Sequence, residues 1–175
     1  VRQRSIEKLT ELCIPYLVKA GFIEEIEEEQ GKHRIKETGE MAGVDWLQKI
    51  ILLYQERLKK LSEIIELTDF FFKDKLEYSK EMLKWRETNG KNLSFAIDKL
   101  ENILEKIEEK DWGKDNLQKI LLNETDKMEN RGLLLWPLRV ALTGKEASAG
   151  PFEIAEVLGK ERVLKRIKDA KILLQ

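Results

Sequence analysis

Pro137-Leu138-Arg139-Val140-Ala141-Leu142-Thr143-Gly144, then Phe152-Glu153-Ile154, then Leu158-Gly159-Lys160-Glu161-Arg162-Val163-Leu164-Lys165-Arg166-Ile167, are three blocks within residues 131–175 whose reading decides the fold class. Proline lacks an N–H that the first turn of a helix leaves unpaired anyway, and glycine readily takes the left-handed conformation that ends a helix. The first block therefore predicts a short helix opening at Pro137 and closing at Gly144. Lys145 to Gly150 reads as a turn of small residues, Pro151 opens a second short helix through Leu158, and a third follows Gly159. Val163, Leu164 and Ile167 are expected to face inward on that third helix. Lys160, Arg162, Lys165, Arg166 and Lys168 are expected to face solvent. Three short helices around a Gly/Ser/Ala-rich turn make a compact knob.

The same three- and four-residue spacing runs upstream. Ile6, Leu9, Leu12, Cys13, Tyr16, Leu17 and Ala20 mark one buried face, with Ser5 as N-cap, Gly21 as stop, and Pro15 expected to kink the helix or start a new one. Val44, Leu47, Ile50, Ile51 and Tyr54 predict the next helix, and Leu58 through Phe72 another. Residues 24–40 are strongly charged and read as a solvated insertion or loop, with His33 exposed in it. Helical patterns resume at Ser79 to Glu87 and again from Leu93 to Ile107, punctuated by Asn89-Gly90 and Trp112-Gly113. No useful stretch alternates at period two. The expected fold is all-α, with a first helical subdomain over residues 1–72 and a second over 73–175, meeting at the polar connection Lys73-Asp74-Lys75.

Composition narrows the function. The 175 residues are 42% hydrophobic and 37% charged, which suits a folded helical globule. One cysteine, Cys13, and one histidine, His33, leave no material for a disulfide framework, a zinc site or a histidine-dependent nucleophile. Cys13 lies among Leu12, Ile14 and Leu17 and reads as a reduced structural thiol. No apolar run approaches the roughly 18 residues of a membrane span, and no signal-peptide layout opens the chain. A cytoplasmic protein with no membrane partner is expected. The net charge of −1 conceals an asymmetry: residues 131–175 carry 9 Lys/Arg against 5 Asp/Glu, whereas the other 130 carry 23 against 28. A locally basic end on a mildly acidic body suits a protein that touches phosphates on one face.

The three blocks of residues 137–170, in their order and spacing, resemble the C-terminal end of bacterial glutamyl-tRNA synthetases. Arg57-Leu58-Lys59-Lys60-Leu61-Ser62-Glu63, leading to Thr68-Asp69-Phe70-Phe71-Phe72, resembles the penultimate helical domain of that family. The resemblance implies two consecutive helical subdomains forming an anticodon-binding helical cage. It implies a tRNA(Glu) anticodon loop as partner, together with the enzyme's own catalytic domains, and no DNA; a monomer is expected. The family's catalytic half carries two class I signatures, an HIGH-type tetrapeptide and a lysine-rich loop, and neither occurs here. The chain thus reads as an excised piece without catalytic residues or metal, needing no cofactor, whereas ATP and magnesium belong to the absent catalytic half.

Residue by residue, the resemblance implies that Arg57 reads the third anticodon base, favouring cytosine. It implies that Arg139 donates paired hydrogen bonds to a base edge or phosphate, and that the turn Ala147-Ser148-Ala149-Gly150-Pro151-Phe152 meets the first bases, with Phe152 offering a stacking face. Each has a plainer alternative: a helix-end arginine bonded to a carboxylate, an ion pair, and a core aromatic at a helix start. Lys145, Lys160, Arg162, Lys165 and Arg166 are candidate phosphate contacts, although charge on a terminal helix is usually just solvated. Trp46, Trp85, Trp112 and Trp136 read as core or interface residues. A helical protein-interaction or scaffolding domain is the rival function, and an independent enzyme is a distant third.

Overall fold

Ser5 begins the first helix as its position predicts. In the computed structural model, which describes residues 3–27, 29 and 31–175, the Ser5 hydroxyl accepts from the Lys8 N–H at 3.3 Å and caps α1, Ile6–Lys19. The helix runs through Pro15 rather than ending there. It buries Leu9, Cys13 and Leu17, whose apolar contacts outweigh the single hydrogen bond the proline cannot make. Burial pushes the Cys13 thiol up to about 11, so it stays protonated at neutral pH.

The helix stops where left-handed backbone becomes necessary. Gly21 has φ +77°, its N–H donates to Val18 O at 2.9 Å, and the Phe22 N–H reaches back to Leu17 O at 3.0 Å. That pair of bonds is a Schellman motif. No atom lies within 4 Å of a Cβ added at Gly21, so backbone strain alone opposes a side chain. Gly21→Ala should therefore cost about 1–2 kcal/mol, measured as a shift in urea midpoint, and an unchanged midpoint would mean that the turn can relax.

Two compact units divide the chain, Val1–Asp74 and Lys75–Gln175. The first packs α1 against α2, Val44–Tyr54, and α3, Ile64–Thr68. The stretch from Leu58 to Phe72, expected as one helix, is broken. A 3-10 turn at Leu61–Glu63 precedes α3 and another at Asp69–Phe72 follows it. That last turn drives three consecutive phenylalanines inward, all essentially unexposed. Phe71 meets the edge of Trp46 at 6.3 Å, and Phe72 stacks on Phe22 at 5.3 Å. A continuous helix would spread three neighbouring residues around its circumference, whereas the broken chain buries them together.

The charged segment 24–40, expected as a solvated insertion or loop, is mostly exposed among its described residues but is not all loop. It builds a small antiparallel sheet from β1, Ile23–Glu25, β2, His33–Ile35, and β3, Met41–Ala42, with Ile23 opposite Ile35 and His33 opposite Ala42. Ile23, His33, Ile35 and Ala42 are buried, so His33 is not the exposed residue expected. Strands of two and three residues are too short to display alternation over a useful window. Two positions of the segment, Glu28 and Gln30, lie outside the described residues. This peripheral sheet leaves the fold all-α in class.

In the second unit, α4, Gly90–Glu105, lies against α6, Gly132–Thr143, and α8, Lys160–Leu173, while α5, Lys114–Thr125, packs on α7, Pro151–Leu158. Asn89 caps α4 by accepting from the Asn92 N–H at 2.9 Å, so Asn89-Gly90 starts a helix rather than merely interrupting one. Between Ser79 and Glu87 only Lys80–Leu83 is helical, as a 3-10 turn; beyond it Arg86 has φ +51° and Trp85 packs on Trp136 at 5.3 Å. Pro137 is not at the start of α6 but inside it, because the helix begins at Gly132, where the Asn130 carboxamide oxygen accepts from the Gly132 N–H at 2.7 Å. Upstream anchoring explains the extra turn. The Trp136 indole donates to Met82 O at 2.9 Å and Leu134 is fully buried. No helix among the described residues is long and apolar enough to cross a membrane.

Candidate nucleic-acid interface

The turn between α6 and α7 is built from the end of α6. Gly144 takes the left-handed conformation at φ +67° and its N–H closes on Val140 O at 2.7 Å. The Thr143 hydroxyl lies between Arg139 O at 2.8 Å and the Lys145 N–H, from which it accepts at 3.0 Å. Arg139 stands one turn earlier on the same helix. Its Nη1 donates to the Ser148 carbonyl at 3.2 Å, the Ser148 hydroxyl at 2.8 Å and the Ala149 carbonyl at 3.1 Å. The Ser148 hydroxyl donates in turn to Ala149 O at 2.8 Å. A single partly buried guanidinium thus fixes the crest of the turn against its parent helix.

The far side of the turn is held by α7. Pro151 at its first position is buried, and Gly150 directly before it lies close to the Glu153 carboxylate. Glu153 pairs with Lys114 at 3.1 Å, which raises the lysine pKa above its ordinary value chiefly through that hydrogen bond. Glu156 accepts from the Lys114 N–H at 3.2 Å, and the Trp112 indole donates to Ala155 O at 3.0 Å. These contacts fasten α7 to the start of α5, so both ends of the 145–150 turn leave fixed supports. Ala149 is buried, while Ser148, Gly150 and Phe152 are half-buried. The sequence identified Arg139 and the small residues, but not the bonds between them. Thr143 and Glu153 carried no signal beyond their position.

The five candidate phosphate contacts stand in different surroundings. Arg166 is 3% exposed and donates to Leu142 O, so it does not face solvent as expected; it lies on the inner side of α8 with Val163 and Ile167, where its length lets it reach the last turn of α6. Lys160 is also engaged, its ammonium donating to Glu105 O at 3.1 Å and Ile107 O at 2.6 Å. It satisfies carbonyls at the end of α4. Arg162 is half-buried, and desolvation lowers its pKa. Lys165 is exposed and Lys145 half-buried. All four tryptophans are half-buried: Trp46 lies in the aromatic cluster of the first unit, Trp85 and Trp136 pack together, and Trp112 is anchored by its indole N–H.

Arg57 belongs to the first unit and is exposed just beyond the end of α2. Its N–H donates to Tyr54 O at 2.8 Å, and its guanidinium carbon stands 5.9 Å from the Tyr54 ring centroid. The Glu63 carboxylate accepts the Lys59 N–H at 2.8 Å and the Lys60 N–H at 3.3 Å, fixing the chain that follows. Those backbone bonds hold Glu63 below its usual carboxylate range. Among the described residues no carboxylate lies within ion-pair distance of Arg57, an exposed side chain on a braced backbone. Also among the described residues, no cluster of three His, Cys, Asp or Glu side chains is arranged to hold a metal ion.

Comparison with known proteins gives one consistent result. The family model of the anticodon binding domain matches residues 8–171. Glutamate–tRNA ligase 1 of Caldicellulosiruptor saccharolyticus is 33% identical over 96% of this chain and 32% of its own length. A glutamate–tRNA ligase of Clostridium botulinum is 34% identical over 96% of this chain and 31% of its own. The chain spans about a third of the length of these curated relatives. A crystal structure of a glutamate tRNA ligase from Elizabethkingia meningosepticum superposes with TM-score 0.73 at 19% identity, covering 98% of this chain and 30% of that one, which establishes the shared fold. With its family model matched over most of its length, the chain belongs to the anticodon binding domain family.

Proposed function

We propose that this chain reads the anticodon of tRNA(Glu) for a glutamate–tRNA ligase, whose remaining domains attach glutamate to that tRNA using ATP and magnesium. The observation that carries the reading is the turn at 145–150: small residues held at both ends, with a guanidinium fixing the crest, form a rigid ledge that unstacked bases can approach closely. In this reading Ser148 to Phe152 meet the first bases, Arg139 sets the ledge and faces the same bases, and Arg57 reads the third base from the first unit. Lys145 and Lys165 remain phosphate contacts. The protein works in the cytoplasm as a monomer, joined to the catalytic domains.

Binding of tRNA transcripts that differ only in the anticodon tests this directly. The chain should prefer the glutamate anticodon, lose affinity as salt rises, and yield no charged tRNA when supplied with glutamate and ATP. Equal binding to all anticodons would sink the assignment in favour of a protein-interaction domain.

A further inference from the structure

We infer that Lys80, Lys84 and Lys91, together with Phe95, form a second RNA-binding surface on the C-terminal unit, which takes the sugar–phosphate backbone and an unpaired base of the tRNA outside the anticodon. The inference rests on the tRNA-binding reading above.

Helix α4 buries Leu93, Ala96, Ile97, Leu100 and Leu104. Successive residues turn by about 100° around a helix, so Phe95 falls on the opposite side from Leu93. It is 63% exposed. Among the described residues it is the only phenylalanine, tyrosine or tryptophan that is exposed rather than buried or half-buried. Core packing does not account for an aromatic ring there.

Beside it lies a hollow of about 540 Å³, whose lining includes Phe95, Ser94, Lys91, Lys80, Lys84 and one acid, Asp98. Lys80, at the start of the 3-10 turn Lys80–Leu83, and Lys84, just after it, are both exposed, and Lys91 stands in the exposed first turn of α4. Elsewhere in this unit lysines are commonly neutralised: Lys99 by Glu124 at 3.0 Å, Lys114 by Glu153 at 3.1 Å, and Lys171 by Asp98 at 2.7 Å and Glu101 at 2.9 Å. Among the described residues no carboxylate lies within ion-pair distance of Lys80, Lys84 or Lys91, and Asp98 is already committed to Lys171. Three uncompensated cations around one exposed aromatic ring match a nucleic-acid strand, which offers phosphates and flat bases at alternating positions. An acidic protein segment would answer the lysines but leave the ring without a stacking partner.

The test uses the whole chain, the triple variant Lys80→Gln/Lys84→Gln/Lys91→Gln and the single variant Phe95→Ser. Each is titrated with a tRNA(Glu) transcript and with the same transcript carrying another anticodon, over a series of salt concentrations. All four positions are exposed, so melting temperatures should stay together. The triple variant should bind both transcripts about tenfold more weakly, with the logarithmic salt slope reduced by about 2–3, while keeping its anticodon preference. Phe95→Ser should weaken both about fivefold with little change in slope. Should the unaltered chain discriminate between anticodons while both variants match it in affinity and slope, this surface is refuted and the anticodon reading stands. If the unaltered chain binds neither transcript, both fall together.

Discussion

Phe71→Ala is expected to destabilise the first unit by about 3–5 kcal/mol, the range for removing a large aromatic from a closed core. Phe71 is unexposed, its ring centroid lies 4.4 Å from that of Phe70, and it meets Trp46 edge-on at 6.3 Å. The substitution removes dispersion contacts with both neighbours and leaves a void that the short 3-10 turn Asp69–Phe72 has little freedom to close. Chemical denaturation followed by tryptophan fluorescence is a suitable measurement, because Trp46 reports on this cluster directly. Phe95→Ala makes the control, since that exposed ring contributes little to packing and should shift the curve by no more than about 0.5 kcal/mol. A Phe71 variant as stable as the control would show that the aromatic cluster does not hold this unit together.

The same cluster marks the limit of what periodicity reveals. Spacing identified the apolar residues between Leu58 and Phe72 but joined them into one helix, whereas only Ile64–Thr68 is α-helical and the 3-10 turn Asp69–Phe72 brings three adjacent phenylalanines, which fit no single helical face, inward together. Pro137 misled for a related reason. Proline is best tolerated in a first turn, yet Asn130, Trp136 and buried Leu134 anchor a helix that starts at Gly132. Glycines and caps were more legible because their roles are local: Ser5, Gly21, Asn89 and Gly144 all stand at helix ends. The small sheet escaped since its strands offer two or three residues each, with buried His33 beside charged neighbours. At the candidate site, sequence pointed to Arg139 and the turn through a resemblance. It could not show that the arginine grips the turn, nor that Arg166 is turned inward, because both depend on how α6 meets other segments.

Arg139→Ala should lower affinity for the cognate anticodon by about 1–3 kcal/mol, the range for a good arginine–base contact. The geometry gives that loss a second source. Without the guanidinium, the carbonyls of Ser148 and Ala149 and the Ser148 hydroxyl lose a charged donor, and the ledge is free to sample other shapes. Arg139→Lys should recover only part of the loss: one ammonium nitrogen can also serve several acceptors, as Nη1 does here, but it sits on a shorter, flexible stem and lacks the guanidinium's further N–H groups for a base edge. Ser148→Ala removes one of the three acceptors, the hydroxyl, and keeps both carbonyls, so its effect should stay below about 1 kcal/mol. Anticodon swaps measured at two salt concentrations separate the possible roles. A phosphate contact would weaken every tRNA alike and flatten the salt dependence, whereas loss of base contact or of the ledge should narrow the gap between cognate and altered anticodons. Arg57→Ala provides the contrast, since its loss should relax choice at the third base and leave the other two read as before. If Arg139→Ala keeps the full anticodon preference, neither base reading nor ledge positioning describes this arginine, and its three bonds serve only to fold the knob.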